Sequence, residues 1–189
     1  TDNASFGDED VYVSEKVDGT NGRIIVCNGD YMIGSREEIL YRMGDVFGNP
    51  SQGIYEIMKP YAEKLVEQLP KDDTIRIFYG EVYGSNINGA RQYTKHLNHN
   101  VRFFDIVVME HSQLYEVAKM DIMHISTWRE HGGQNYMTVE EMHKAIKSMG
   151  FGEDNIVPHL RVLNGTNLPT TQADIYTWLK EYEVTRATI

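Results

Sequence analysis

Apolar and polar residues alternate from Val11 to Val17 and then give way to Asp18-Gly19, which predicts a strand running into a turn. Arg23-Ile24-Ile25-Val26-Cys27 predicts a second strand, Asn28-Gly29-Asp30 a hairpin turn, and Tyr31 to Ser35 the return strand. Between Ser51 and Leu69 the apolar positions Ile54, Ile57, Met58, Tyr61, Leu65 and Leu69 recur at helical spacing, with Pro60 placed to kink the helix. Thr74 to Tyr79 and Val101 to Met109 read as strands. His111-Ser112-Gln113 is expected to turn the chain into another strand, Leu114 to Ala118. Thr138-Val139-Glu140-Glu141 has the capping-box pattern ahead of Met142, Ala145, Ile146 and Met149, and Gly150 stands where that helix should end. A last helix is expected from Thr171 to Tyr182, with Ile175, Trp178, Leu179 and Tyr182 on one face. Strands followed by irregularly interspersed helices imply an α+β domain dominated by antiparallel sheet, and 189 residues suit one such domain.

Composition adds limits. Hydrophobic residues at 41% and charged residues at 24% are ordinary for a globular chain. No apolar run is long enough to span a bilayer, and Thr1 to Glu9 lacks the basic-then-apolar order of a signal peptide. Cys27 is the only cysteine, so no intrachain disulfide can form. An intracellular setting is expected: cytoplasmic, or the host cytoplasm for a phage- or virus-encoded chain. The net charge of −10 argues against extended binding of polynucleotide by this segment alone. Any nucleic-acid substrate must meet positive charge concentrated in a cleft or supplied from elsewhere.

The chemistry concentrates in Glu15-Lys16-Val17-Asp18-Gly19-Thr20-Asn21-Gly22-Arg23. A lysine at a strand end, followed by a tight glycine turn, can aim its amine into a cleft closely lined by backbone. To attack a phosphate the amine must be neutral, which desolvation or nearby cations favour. A divalent metal beside the phosphate would do the same while neutralising a triphosphate. Asp18 is expected on the same strand face as Lys16, two residues on. The histidines, His96 and His99 among them, make no convincing metal cluster with one cysteine. Arg91, Lys95 and Arg102 offer charge either to a phosphate ligand or to a solvated face.

The extended run resembles the first nucleotidyltransferase motif of the polynucleotide ligase and mRNA capping superfamily, and its Thr-Asn ending is closest to the RNA ligase 2-like family. Further segments match in the family's order: Ile33-Gly34-Ser35-Arg36, then Phe78-Tyr79-Gly80-Glu81-Val82-Tyr83-Gly84 with Ser85-Asn86-Ile87-Asn88-Gly89 and Tyr93 after it. Val101-Arg102-Phe103-Phe104-Asp105-Ile106 follows, and Val157-Pro158-His159-Leu160 fits more loosely. The resemblance implies a two-sheet, mainly antiparallel nucleotidyltransferase fold related to ATP-grasp, with the adenylate between the sheets. It implies that Lys16 attacks ATP to form a lysyl-AMP, with Asp18, Gly19 and Asn21 in the nucleotide site. Arg36 would contact the ribose and phosphate region, and Glu81 the ribose hydroxyls or a metal (Mg²⁺ or Mn²⁺). Phe104 would stack on adenine with Asp105 as its acidic neighbour, and Glu15 would help read the adenine amino group. Phe103 is expected in the core. The implied activity is ATP-dependent joining of RNA 5′-phosphate and 3′-hydroxyl ends, best aligned in a duplex, as in RNA repair.

The family pattern next shows Glu-Gly-apolar-Val and then two lysines spaced by one residue, and neither occurs in these 189 residues. The chain is therefore expected to be a nucleotidyltransferase domain over residues 1–189, truncated on its C-terminal side, that binds ATP and adenylylates itself poorly. Two other readings stay open. One is a DNA ligase or capping guanylyltransferase of the same superfamily; the other is a non-catalytic nucleotide- or RNA-end-binding relative.

Overall fold

The computed structural model describes residues 6–47, 53–85, 87, 93, 98–182 and 184–189. Strands β1 (Asp10–Ser14), β2 (Thr20–Cys27), β3 (Asp30–Ser35), β4 (Ile39–Arg42) and β5 (Asp45–Val46) precede helix α1 (Ile54–Gln68). Strands β6 (Thr74–Gly84) and β7 (His99–Glu110) follow, then helices α2 (His111–Val117), α3 (Ile122–Glu130) and α4 (Val139–Ser148). Strand β8 (His159–Asn164) and helix α5 (Gln172–Leu179) complete the order. Six strands form one antiparallel sheet, β5-β4-β3-β2-β6-β7, while β1 and β8 pair antiparallel as a second, two-stranded sheet. The two-sheet α+β architecture expected from the sequence is the one observed.

Local chemistry explains most of these elements. Asn28 and Gly29, with φ of 49° and 78°, make the two-residue turn between β2 and β3. In α1, Ile54, Met58, Ala62 and Leu65 are buried on one face against the large sheet. Each large apolar side chain buried in this way contributes about 1.5–3 kcal/mol. Pro60 lies inside α1 on its exposed side, where a carbonyl without its helical donor can bond water. Helix α4 carries the capping box expected from sequence: Thr138 Oγ1 accepts from the Glu141 N–H at 3.3 Å, and Glu141 Oε2 accepts from the Thr138 N–H at 2.8 Å. Its Met142 and Ile146 reach the same core as α1, and Gly150, φ 77°, ends the turn.

Three expectations need correction. Leu114 to Ala118 is not a strand; it belongs to α2 and its C-cap. Gln113 Oε1 accepts from the Glu110 N–H at 3.1 Å, so Glu-x-x-Gln starts a helix where the short apolar run suggested a strand. Strand β1 stops at Ser14 instead of Val17. Its partner β8 begins at His159, just after Pro158, which has no N–H to continue the ladder; the Pro158 carbonyl still accepts from the Glu15 N–H at 2.9 Å. Lys16 and Asp18 therefore lie on a connection, and the same-face argument based on strand pleating does not apply to them. In the C-terminal helix, Ile175 and Trp178 are half-buried but Leu179 is exposed, so the expected four-residue face is incomplete.

The large sheet has two different faces. Gly22, Ile24 and Val26 of β2 and Phe78 and Val82 of β6 face α1. Asn21 and Arg23 of β2, with Tyr79 and Glu81 of β6, occupy alternate positions and so take the opposite, inner face. The chain reaches β8 along the edge of β7: Ile156 bridges Phe103, and the Val157 N–H donates to the Phe103 carbonyl at 3.0 Å. That route sets the Lys16 connection beside the inner face.

Candidate active site

A pocket of about 280 Å³ is lined by Ser14, Glu15, Lys16, Val17, Glu81, Phe104 and Val157. Strand β1 and the connection after it supply one wall, and the inner face of β6 and β7 supplies the other. Four residues singled out from sequence thus converge: Glu15, Lys16, Glu81 and Phe104. A larger cavity of about 510 Å³ lies between β7 and α4, lined by Tyr136, Glu141 and Lys144 among others. It contains none of the predicted site residues, and Glu141 there is committed to capping α4.

The turn after Lys16 is held against β6 from both chemistry and shape. The Gly19 N–H donates to Glu81 Oε1 at 3.1 Å. A Cβ on Gly19 would overlap the Val82 carbonyl oxygen and come within 2.9 Å of Tyr83 Cβ, so only glycine lets the backbone approach this closely. The Asp18 N–H donates to the Tyr93 hydroxyl at 2.6 Å, while the Asp18 side chain is exposed. Asn21 pairs with Glu81 across β2 and β6 and is half-buried on the inner face.

Glu81 is half-buried, and that burial pushes its carboxyl up from the ordinary glutamate range. The Gly19 N–H and the Lys16 charge act in the opposite direction, and the neighbouring Asp18 charge adds to the rise. Lys16 itself is exposed at the pocket mouth, so the shielding of its amine expected from sequence is not supplied by the protein alone.

Glu15 is more constrained than its place in the motif suggested. Its Oε1 accepts from the Thr185 hydroxyl, and its Oε2 accepts from the Arg186 N–H at 2.8 Å. Thr185 Oγ1 in turn accepts from the N–H of Ala187, which is fully buried, and the Ile189 N–H donates to the Tyr93 carbonyl at 3.0 Å. Residues 185–189 and Tyr93 therefore brace both flanks of Lys16, through Glu15 on one side and Asp18 on the other. Sequence reasoning missed this brace, because nothing local at Thr185 points to a partner 170 positions away.

Phe103 is fully buried in the core, as expected, and Phe104 lies on the pocket side. A β-bulge separates them in register: Gly80 pairs with Phe103 and Tyr79 with Asp105, so Phe104 is the extra residue. Phe104 packs against the cluster of Val17, Tyr83, Tyr93, Val157 and Ala187 and stacks on Tyr79 at 6.4 Å between centroids. Asp105 is half-buried, does not line the pocket, and has its carboxyl pushed up by burial.

The remaining candidates lie elsewhere. Arg36 follows the end of β3 with its side chain 84% exposed and pairs with Glu37 at 3.5 Å, so it is not brought into the pocket. Arg102, weighed as a charge for phosphate, is buried and structural: its Nε donates to the Tyr83 hydroxyl at 2.7 Å and its guanidinium to the Ile156 carbonyl at 2.7 Å. Arg91, Lys95, His96, Asn86, Asn88 and Gly89 lie outside the described residues. No group of three or more His, Cys, Asp or Glu poised to hold a metal occurs among the described residues. No helix among them is long and apolar enough to cross a membrane.

Comparison with known proteins agrees with this architecture. The structure resembles that of Naegleria gruberi RNA ligase in several solved forms. A glutamate-to-alanine variant with ATP and Mn superposes with TM-score 0.57 at 16% identity, and a lysine-to-alanine variant with ATP and Mn with 0.56 at 14%. A further glutamate-to-alanine variant with AMP and Mn gives 0.56 at 16%. In each case the match covers 86% of this chain and 39% of the other, so the chain spans well under half the length of these relatives. No curated protein sequence matches the chain. The RNA ligase family matches residues 9–185, nearly the whole sequence, and on that match the chain belongs to the RNA ligase family.

Proposed function

We propose that this chain is the nucleotidyltransferase domain of an ATP-dependent RNA ligase in which Lys16 carries AMP covalently. The observation that carries the proposal is the convergence of Lys16, Glu81 and Phe104, distant in sequence, on one pocket between the two sheets. Family membership over residues 9–185 supports a ligase reaction, and the likeness to RNA ligase structures solved with ATP and Mn supports ATP and a divalent metal as ligands.

In the first step the Lys16 amine attacks the α-phosphate of ATP. A P–N bond forms, the P–O bond to the β-phosphate breaks, pyrophosphate leaves, and the amine releases a proton to solvent. AMP then passes to an RNA 5′-phosphate, and a 3′-hydroxyl displaces it to seal the strand. Phe104 offers a half-buried ring for the adenine, braced from behind by Tyr79. Glu81 accepts ribose hydroxyls or serves as a metal ligand. The donor set fits Mg²⁺ or Mn²⁺ held chiefly by substrate phosphates, since such ions take one or two carboxylates and keep the rest of their shell in phosphate and water. Glu81 is one carboxylate, and Asp18 lies close enough to perturb it. The ion, when bound, neutralises charge on the triphosphate. Positioning supplies much of the remaining acceleration.

Glu15 reads the adenine amino group only through lone pairs left over from Thr185 and Arg186, which makes it as much a structural residue as a recognition one. Arg36 engages the ribose and phosphate only if the turn after β3 folds toward the pocket.

Incubation with α-labelled ATP and magnesium or manganese, followed by a denaturing gel, tests the proposal. Weak label on the wild-type chain, absent altogether from Lys16→Ala, is the expected result. Label from GTP in preference to ATP would indicate a capping reaction. ATP binding without label in either metal would indicate a non-catalytic binding relative.

A further inference from the structure

Arg23 stands on the inner face of β2, two residues beyond Asn21 and one pleat along from the Asn21–Glu81 pair. It pairs with Tyr79 on β6 and with Gly34 on β3, so it shares the inner face with Glu81, which lines the pocket, without lining it itself. The residue is half-buried, and its Nε is enclosed with no hydrogen-bond partner among the described residues. Among the described residues it makes no ion pair, although the chain carries 28 acidic residues. By contrast, Arg76 is held by Asp72, and Arg102 by carbonyls and a hydroxyl.

An Nε–H donor withdrawn from water without an acceptor costs stability, while the rest of this half-buried guanidinium is left to face the cleft. The fold nevertheless makes space for it: a Cβ on Gly34 would lie 2.9 Å from Arg23 Nε and 3.3 Å from its Cγ, so the bare glycine backbone is the floor on which the arginine rests. A side chain seated this deliberately and left unpaired is suited to an anion that arrives with a ligand. Guanidinium binds phosphate through paired, charge-assisted hydrogen bonds, which the terminal nitrogens can offer and which would supply the missing counter-charge.

Resting on the nucleotidyltransferase reading above, we propose that Arg23 is a phosphate-binding residue of the cleft, contacting either the β- and γ-phosphates of ATP or the phosphate at an RNA 5′ end. The side chain acts as a fixed donor on the sheet, unlike the exposed Arg36.

Equilibrium titration of the protein with magnesium and each of adenosine, AMP, ATP, and 5′-phosphorylated or 5′-hydroxyl RNA oligonucleotides tests this without needing turnover. Arg23→Met keeps the aliphatic stem and removes the charge. It is expected to weaken ATP on the order of ten- to hundred-fold while leaving adenosine unchanged. If the phosphate comes from RNA, ATP binding is retained and the preference for 5′-phosphate over 5′-hydroxyl RNA is lost. Arg23→Lys, which keeps the charge without the paired donors, should show a smaller loss with the same selectivity for phosphate and serves if Arg23→Met folds poorly. Equal loss of adenosine and ATP, or affinities matching wild type for every ligand, would overturn the assignment. A wild-type chain that binds neither ATP nor 5′-phosphorylated RNA would instead overturn the proposed function, and this assignment with it.

Discussion

The backbone N–H of Gly19 donates to the Glu81 carboxylate at 3.1 Å, joining the turn after Lys16 to the strand that carries the pocket's acid. The contact exists because position 19 has no side chain, so the turn lies directly on β6. Gly19→Ala should force the turn outward. We expect a loss of roughly 1–3 kcal/mol of folding stability by urea denaturation, and loss of Lys16 labelling even under conditions where the variant is fully folded.

Phe104→Ala should weaken ATP by about 1–3 kcal/mol in a fluorescence or calorimetric titration, the range found for bases stacked on aromatic side chains. Phe104→Leu keeps much of the packing against Val17 and Val157 and should hold its stability better than its ATP affinity. Equal losses in both quantities would reassign Phe104 to packing alone.

Asp105 has its carboxyl pushed up by burial, with no other cause acting on it. A raised carboxyl favours the protonated form in the folded state, so its contribution to stability is present below the ordinary aspartate value of about 3.9 and is lost as pH rises through the higher folded-state value. Asp105→Asn should therefore gain stability relative to wild type as pH rises from about 4 toward neutrality. The two proteins should converge in acid. Urea denaturation across that range checks the sign.

Tyr93→Phe removes the hydroxyl that accepts from the Asp18 N–H, and Thr185→Val removes the donor to Glu15. Each should cost about 0.5–1.5 kcal/mol. Hydrogen exchange distinguishes them: the Asp18 amide should lose protection in the first variant and the Ala187 amide, which donates to the Thr185 hydroxyl, in the second. Slowed Lys16 labelling in both, with ATP affinity little changed, would identify the brace as a device for holding the lysine in place.

Much of this molecule was legible from local pattern, and the parts that were not share a cause. The β2–β3 hairpin, α1 and the capped start of α4 follow from residues within a few positions of one another: Asn28-Gly29, the Ile54–Met58–Leu65 spacing, and Thr138 with Glu141. The motif order identified Lys16, Glu81 and Phe104 as partners before any geometry, and they do share a pocket. The early end of β1 was not visible, because it depends on Pro158, just ahead of a strand arriving from far along the chain. The same holds for the hold of Thr185 and Arg186 on Glu15, and for the isolation of Arg23, which is a statement about neighbours that are missing. Arg36 fits the motif by identity yet stands in solvent, since a motif names a residue without setting its rotamer.

The single extra residue in β7 amounts to a phase slip in the strand. Up to Phe103 the odd-numbered positions Val101 and Phe103 face α1; beyond the slip it is Ile106 opposite Phe78 that does so. Were the ladder unbroken, the parity would continue and the Asp105 carboxylate would be driven into the apolar layer under α1 while Ile106 turned outward. Deleting Phe104 would thus leave a regular ladder, with Asp105 and Ile106 on their present sides, and would remove only the ring from the pocket side. Phe104 and the acid beside it owe their common side to that one unpaired position.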